Sequence, residues 1–408
     1  MTAENNMRRW IVFFSASLLF FYTFIQLNSL NAISADLLKS FHLNATGLGH
    51  LSAWYFYANF LFIFPAGLLL DRYSPRTLIL IAMLISVIGV FGFASAHNLW
   101  VASLSRVIMG IGGAFSFIGC IRIASRWFSS TQMALVAGVL NAIGMLGGLL
   151  AQFPLSWLTQ QYSWRTALSV DAALGVFCFI FIFLFVSDRP QQQSVMEPIQ
   201  PFWANMRHVF LKPNNWLCGL YTALINSPVF VLGALWGNLY LTQMKHLSVT
   251  TASYIIMFLF FGNIIGAPLI GCVSDFLQWR RRLMIMNACV ALLLILIIIF
   301  LPNMSIVSLA ILFTLLGITT SAQILSYPIV TKTNSLTTTG LANSIVSMTL
   351  IASGFIFQPL FGYLMELSDK PIYHLAMSYT AHDFLIAMSV LPVSFLISML
   401  IPFWIKTK

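Results

Sequence analysis

Along the whole chain, long apolar runs alternate with short polar clusters. The runs fall near residues 11–35, 47–70, 77–96, 98–124, 132–157 and 165–187, then 214–242, 249–273, 283–301, 304–330, 338–364 and 382–404. A helix crosses a bilayer with about 20 apolar residues, so the pattern predicts twelve membrane-spanning helices. One long polar interval, 188–213, carries Asp188, Arg189, Pro190, three consecutive glutamines and Pro198. It divides the chain into a six-helix bundle over 1–187 and a second over 214–408, with 188–213 as a linker. Arg8-Arg9 ahead of an apolar run imitates a secretory signal, but the run outlasts a signal's apolar core and reads as the first span.

Composition turns this pattern into a fold class. Of 408 residues, 59% are hydrophobic and 7% charged, against roughly 45–50% and 25% in soluble domains. A soluble globule is excluded, and the chain reads as an all-α membrane protein whose surface partner is the lipid bilayer. The formal charge of +10 is scattered in ones and twos, with no stripe suited to nucleic acid. With an even number of crossings both termini share one side. Loops on that side hold fourteen Lys and Arg residues, among them Arg8, Arg9, Arg72, Arg76, Arg126, Arg189 and Arg280 to Arg282, while the opposite loops hold Lys39, Arg165, Lys245 and Lys370. Positive juxtamembrane residues resist translocation, which predicts cytoplasmic termini and linker in a cytoplasmic (inner) membrane. The five cysteines lie in apolar segments without metal-ligand spacing, so no disulfide, metal or cofactor is expected.

A repeat sharpens the picture. Gly67-Leu-Leu-Leu-Asp71-Arg72-Tyr-Ser-Pro-Arg76 follows the second helix, and Gly271-Cys-Val-Ser-Asp275-Phe-Leu-Gln-Trp-Arg280 follows the eighth. Glycine, aspartate and arginine recur at a common offset in corresponding loops, the mark of a duplicated architecture. With these two loops, with Arg106-Val-Ile-Met-Gly110-Ile-Gly112-Gly113 in the fourth helix, Arg126-Trp127-Phe128 at its inner end and Ser163-Trp164-Arg165 entering the sixth, the chain resembles the major facilitator superfamily. The resemblance implies two pseudo-symmetric six-helix bundles that rock about a central solute site. Ser74-Pro75 stands where that pattern has glycine, and Phe276 replaces the arginine after Asp275.

In physical terms, Gly67 and Gly271 are expected to let neighbouring helices approach closely. Asp71, paired with Arg76 or Arg126 near a helix N-terminus, would latch the two bundles on the cytoplasmic side. Gly67, Asp71, Arg72, Arg76, Arg126, Gly271, Asp275 and Arg280 are thus the gating candidates. The resemblance further implies that helices one, four, seven and ten line the cavity. That makes Tyr22 and Gln26, Asn226 beside the helix-bending Pro228, and Gln323 and Tyr327 the solute-binding candidates, their amides and phenols able to donate and accept. Arg106 and Arg122 lie sixteen positions apart, on roughly opposite sides of a helix, so only one can face a solute. Arg106 is read as structural or coupling. Arg122 is either a clamp for a solute carboxylate or a charge snorkelling to the inner edge. Asp36 and Asp171 are the intramembrane acids from which proton coupling could be built, with pairing to Arg165 the preferred reading for Asp171.

These features favour a monomeric secondary transporter of a small polar metabolite, coupled to a co-transported proton. An enzyme is disfavoured, because there is no HExxH, no GxSxG and no pair of His or acidic residues placed mid-membrane. A channel or receptor lacks the motive for duplicated halves. Drug-proton antiporters of the superfamily carry Gly-Pro in helix five, whereas Gly138 to Gly148 here holds no proline, which favours uptake over export of drugs or organic anions. The overall texture is similar to the phagosomal nutrient transporters of intracellular gamma-proteobacteria, implying an amino acid or nucleoside.

Overall fold

The computed structural model describes residues 3–188, 206–207, 209–335, 338–367 and 379–406. Most of the 188–213 linker, including Arg189, lies outside the described residues, as does Lys370. Among the described residues eleven continuous helices are long and apolar enough to cross a membrane, and a bent pair makes a twelfth span. They are α1 (Met7–Ser40), α2 (Ala45–Arg72), α3 (Pro75–Ala94), α4 (Leu99–Trp127), α5 (Leu135–Gln161), α6 (Trp164–Phe185), α7 (Pro213–Ile225 with Val229–Met244), α8 (Val249–Leu277), α9 (Arg280–Phe300), α10 (Ile306–Thr333), α11 (Thr339–Met365) and α12 (Ala381–Phe403).

The polar clusters between the apolar runs act as helix starts. Asn44, Ser74, Asn98, Ser163, Ser248 and Ser305 each accept a bond from the backbone N–H three residues on, satisfying a donor the first turn leaves free. The spans alternate in direction. Arg9 bonds Gln132 across 3.4 Å and Asn214 bonds the backbone of Lys406, so the start of α1, the start of α7 and the end of α12 mark one side of the molecule, the terminus side. Trp164 to Ser40 and Lys245 to the Leu301 carbonyl mark the far side.

Two spans are not regular. In α7 the chain turns by 44° at Asn226-Ser227-Pro228, as a proline without an N–H dictates, and continues as a π-helix over Val229–Trp236. In α10 a tighter 3-10 stretch spans Ser321–Leu325. Such departures leave backbone carbonyls available to side chains. Close packing elsewhere uses the glycines of α4, where a Cβ at Gly110 would strike the Tyr55 carbonyl and one at Gly112 the Ala82 carbonyl. The glycine run therefore serves helix packing, as its setting in an apolar helix predicts.

The hydrogen bonds that join the two sets of six helices lie in the far half of their shared interface among the described residues. Asn31 of α1 accepts from the Asn238 backbone N–H at 3.0 Å, its carbonyl accepts from Asn238 Nδ2 at 2.9 Å, and its own Nδ2 donates to Gln152 of α5 at 2.7 Å. Gln152 Nε2 in turn donates to the Gly233 carbonyl in the π-helix at 3.0 Å. Across the other seam, Glu366 beyond α11 accepts from Thr46 N, Thr46 Oγ1 and Asn44 Nδ2 at 3.2, 2.7 and 3.2 Å. A Cβ at Gly49 would sit 2.7 Å from the Gln358 carbonyl, so α2 and α11 meet there backbone to backbone.

On the terminus side the expected close approaches are missing. A Cβ at Gly67 or Gly340 would meet nothing within 4 Å, and one at Gly271 only Ile324 of its own half at 3.7 Å. The expectation of close approach is corrected for Gly67, which no neighbouring helix approaches, while Gly271 makes only an ordinary contact with Ile324. The hydrogen bonds between the two halves among the described residues all lie on the far side.

Candidate functional site

The loop charges expected to latch the bundles pair inside each half instead. Asp71 pairs with Arg122 of α4, not with Arg76 or Arg126. Arg126 bonds Asp188 at 3.2 Å, which also takes the Ser74 hydroxyl. Arg76 donates to the Phe183 carbonyl at 2.8 Å and lies over the Phe183 ring, while Arg72 is exposed. In the second copy Asp275 pairs with Arg280 at 3.2 Å. The physical reason is competition within the half: Arg126 is taken by Asp188 and Arg76 by the Phe183 carbonyl, which leaves Asp71 to Arg122. Of the two readings of Arg122, the inner-edge charge agrees with this contact, since its exposed guanidinium pairs with the loop carboxylate of Asp71.

The first-half candidates also resolve differently from expectation. Tyr22 and Gln26 point into the first bundle, not toward the second. Gln26 Nε2 donates to Asp171 Oδ2 at 2.7 Å, and the Tyr22 hydroxyl donates to the Asp171 carbonyl at 3.3 Å. Arg106, 0% exposed, donates to the Gln26 carbonyl at 2.8 Å and the Ser52 carbonyl at 3.3 Å, with its guanidinium 4.9 Å from the Tyr55 ring centroid. Arg165 bonds the Ala96 carbonyl at 2.9 Å, so the expected Asp171–Arg165 pair does not form. No cation pairs with Asp171 among the described residues, and its Oδ1 has no partner. A carboxyl and a guanidinium thus occupy one buried bundle with neutral ligands on each. Asp36 lies elsewhere, near the far end of α1, on a small surface cavity.

The face of α1 that meets the second bundle is the one two residues along. Two residues turn a helix by about 200°, which carries Asn28 away from Gln26 and toward α5 and α8. A Cβ at Gly148 would lie 2.6 Å from Phe260 and 3.3 Å from Asn28 Nδ2. In the second bundle the two irregular spans come together: Thr222 Oγ1 of α7 reaches the Gln323 carbonyl of α10 at 3.4 Å. Asn226 lies one turn beyond Thr222 on the same face. Tyr327 shares a 3.4 Å bond with Ser347 of α11.

What unites these positions is unfilled hydrogen-bonding capacity. Asn28 Oδ1, Asn226 Oδ1, Ser227 Oγ, Gln323 Oε1 and Gln358 Oε1 are buried without a protein partner. Buried acceptors in natural proteins are almost always satisfied, so these positions on α1, α7, α10 and α11 have capacity left for water or a polar solute, as do Thr23, Asn263 and others elsewhere. The helix-seven and helix-ten candidates are therefore brought together, and those of helix one are not. Reading the sequence missed Asn28, Asn31, Gln152, Asn238 and Gln358. The available signal was their intramembrane amides, costly in lipid unless they face protein.

A family model described as Major Facilitator Superfamily matches residues 12–359. The membrane sensor protein UhpC of Salmonella typhimurium is 25% identical over 278 residues, 63% of this chain and 61% of that protein. The hexuronate transporter of Bacillus subtilis is 24% identical over 245 residues, 57% of each chain. The match thus spans about three fifths of these relatives' lengths. Among solved structures, a bacterial homologue of the human lysosomal transporter Spinster, inward-facing and occupied, superposes with a TM-score of 0.76 at 16% identity, covering 97% of this chain and 96% of that one.

Proposed function

The chain belongs to the major facilitator superfamily, and from that premise we propose that it is a secondary transporter carrying a small polar metabolite by alternating access. The observation that carries this reading is the asymmetric interface, bonded through Asn31, Gln152 and Asn238 on the far side and bare at Gly67 and Gly340. By the distribution of basic residues the terminus side is cytoplasmic, which makes this the inward-facing state of an inner-membrane protein. In this reading the pairs that Asp71, Arg126, Asp275 and Arg280 make within each half, with Arg72 and Arg76 beside them, are the released form of a latch that closes across the bundles when the far side opens. The solute site comprises Asn28, Asn226, Gln323 and Tyr327, whose neutral donors and acceptors suit an amino acid or a nucleoside taken up with a proton carried at Asp171. The transporter works as a monomer.

Counterflow in proteoliposomes against amino acids, nucleosides, sugars and organic acids tests this. One class should accelerate exchange of its labelled member. Binding of a solute without any exchange would favour a sensor, the role named for UhpC. Within the responding class, Asn226→Ala and Gln323→Ala should each raise the apparent KM about tenfold at normal protein abundance, the worth of one buried hydrogen bond. Gln26→Ala should behave differently and reduce folded protein, because it strips Asp171 of its side-chain donor. Unchanged KM in both of the first two variants would remove α7 and α10 from the site.

A further inference from the structure

We propose that the far side carries a separate binding site for a small zwitterion, a solute bearing an ammonium and a carboxylate a few bonds apart. The site is a cavity of about 110 Å3 where the far ends of α1, α5 and α7 meet. That volume is several times the roughly 10–15 Å3 one water needs. Its polar lining is Ser34, Asp36, Lys39, Gln160, Asn238 and Thr242.

Three features identify the occupant. Asp36 and Lys39 stand three residues apart, neighbours on one helix face, yet no ion pair closes between them among the described residues. Both charges are available. The third feature is Asn238, 2% exposed. Its backbone N–H goes to Asn31 Oδ1, and its Nδ2 to the Asn31 carbonyl and Ser253 Oγ, but its Oδ1 has no donor. An ammonium group in the cavity meets Asp36, and a turn of the buried Asn238 amide toward it would bring the unpartnered Oδ1 as a second acceptor, while a carboxylate on the same solute meets Lys39. A simple amine would leave Lys39 unpaired, a simple acid Asp36, and a neutral sugar both. Asn238 also closes the amide seal beneath, so a solute arriving from the far side would bind on the residue that must move for that side to open. The inference concerns binding alone and stands whether or not the solute then crosses.

The test uses the full-length protein in nanodiscs, with Thr242→Cys labelled by a maleimide and read by peptide-resolved mass spectrometry. The exposed native Cys272, on the terminus side, serves as the reference for global change. At least one of glycine, L-alanine, β-alanine and γ-aminobutyrate should slow labelling at position 242 about tenfold while leaving Cys272 unaffected, and methylamine or acetate should not. Asp36→Asn and Lys39→Gln should each raise the half-protecting concentration about tenfold. The same solute should raise the melting temperature of the unsubstituted protein, and Asp36→Asn should abolish that shift. No labelling at 242, no protection by any of the four zwitterions, or protection indifferent to both substitutions would overturn the site. A transporter that exchanges solute normally yet shows any of these results loses the far-side site and keeps the proposed function.

Discussion

Replacing Asp171 by asparagine should leave the protein folded and able to exchange solute, and should abolish concentrative uptake. Asparagine matches the shape of aspartate and keeps an oxygen for Gln26 Nε2, so the 2.7 Å bond and the packing around it persist. What disappears is the only group in that buried cluster able to carry a proton while Arg106 stays charged. A proton arriving at or leaving Asp171 changes the charge of the first bundle's interior, which is the differential interaction a coupled equilibrium requires. With an imposed gradient of about one pH unit, one-proton symport can concentrate solute about tenfold. In the variant the internal concentration should rise only to the external one, while counterflow at equal pH keeps its rate. Accumulation by Asp171→Asn equal to wild type would remove Asp171 from coupling, and loss of counterflow as well would make it structural.

The second large effect is expected at the far-side seal. Asn31→Ala removes the acceptor of the Asn238 N–H and the donor to Gln152 Oε1 together. A buried polar group left without a partner costs about 1–3 kcal/mol, and both are stranded only while the far side is closed. Opening lets water reach them, so the variant should shift toward the far-side-open state by about tenfold or more. Nitroxide labels at Tyr162 and Val307, exposed to 70% and 68% at the far ends of the two halves, should move apart in pulsed electron-electron distance measurements. Glu366→Gln should produce a smaller shift in the same direction, because an amide oxygen still accepts from Thr46 but without charge. An unchanged distance distribution in Asn31→Ala would show that the seal is held by packing alone, through contacts such as Gly49 against Gln358.

Asp171 is met by Gln26 and the far-side seal is built on Asn31, two residues on different faces of α1, and that helix separates what could be read in the chain from what could not. Hydrophobic runs of membrane length, a single polar interval and a glycine-aspartate-arginine repeat were enough for the fold class, the twelve spans and the family, because in lipid each span must satisfy its own backbone and so announces itself locally. The bend at Pro228 was legible for the same reason, as a missing donor in the helix itself. The glycine run of α4 declared close packing because nothing else justifies it inside an apolar helix.

Partnership is a different matter. Tyr22 and Gln26 share a face with each other, and Asn28 and Asn31 lie on another, but spacing along a helix fixes only which residues sit together and not what they look at. Rotation of α1 toward Asp171 on one side and Asn238 on the other is decided by its packing against spans of both halves at once. So too with charge: Asp71 had three arginines of its own half within reach of its loop, and only the folded bundle, which commits Arg126 to Asp188 and Arg76 to the Phe183 carbonyl, left Arg122 as its partner. The sequence by itself determined the elements, their order and their inventory of costly polar groups, since those follow from local interactions with the bilayer. The tertiary structure alone decided which polar groups seal the halves, which stay buried within one, and which are left unfilled, since those depend on contacts between different helices, many of them more than a hundred positions apart.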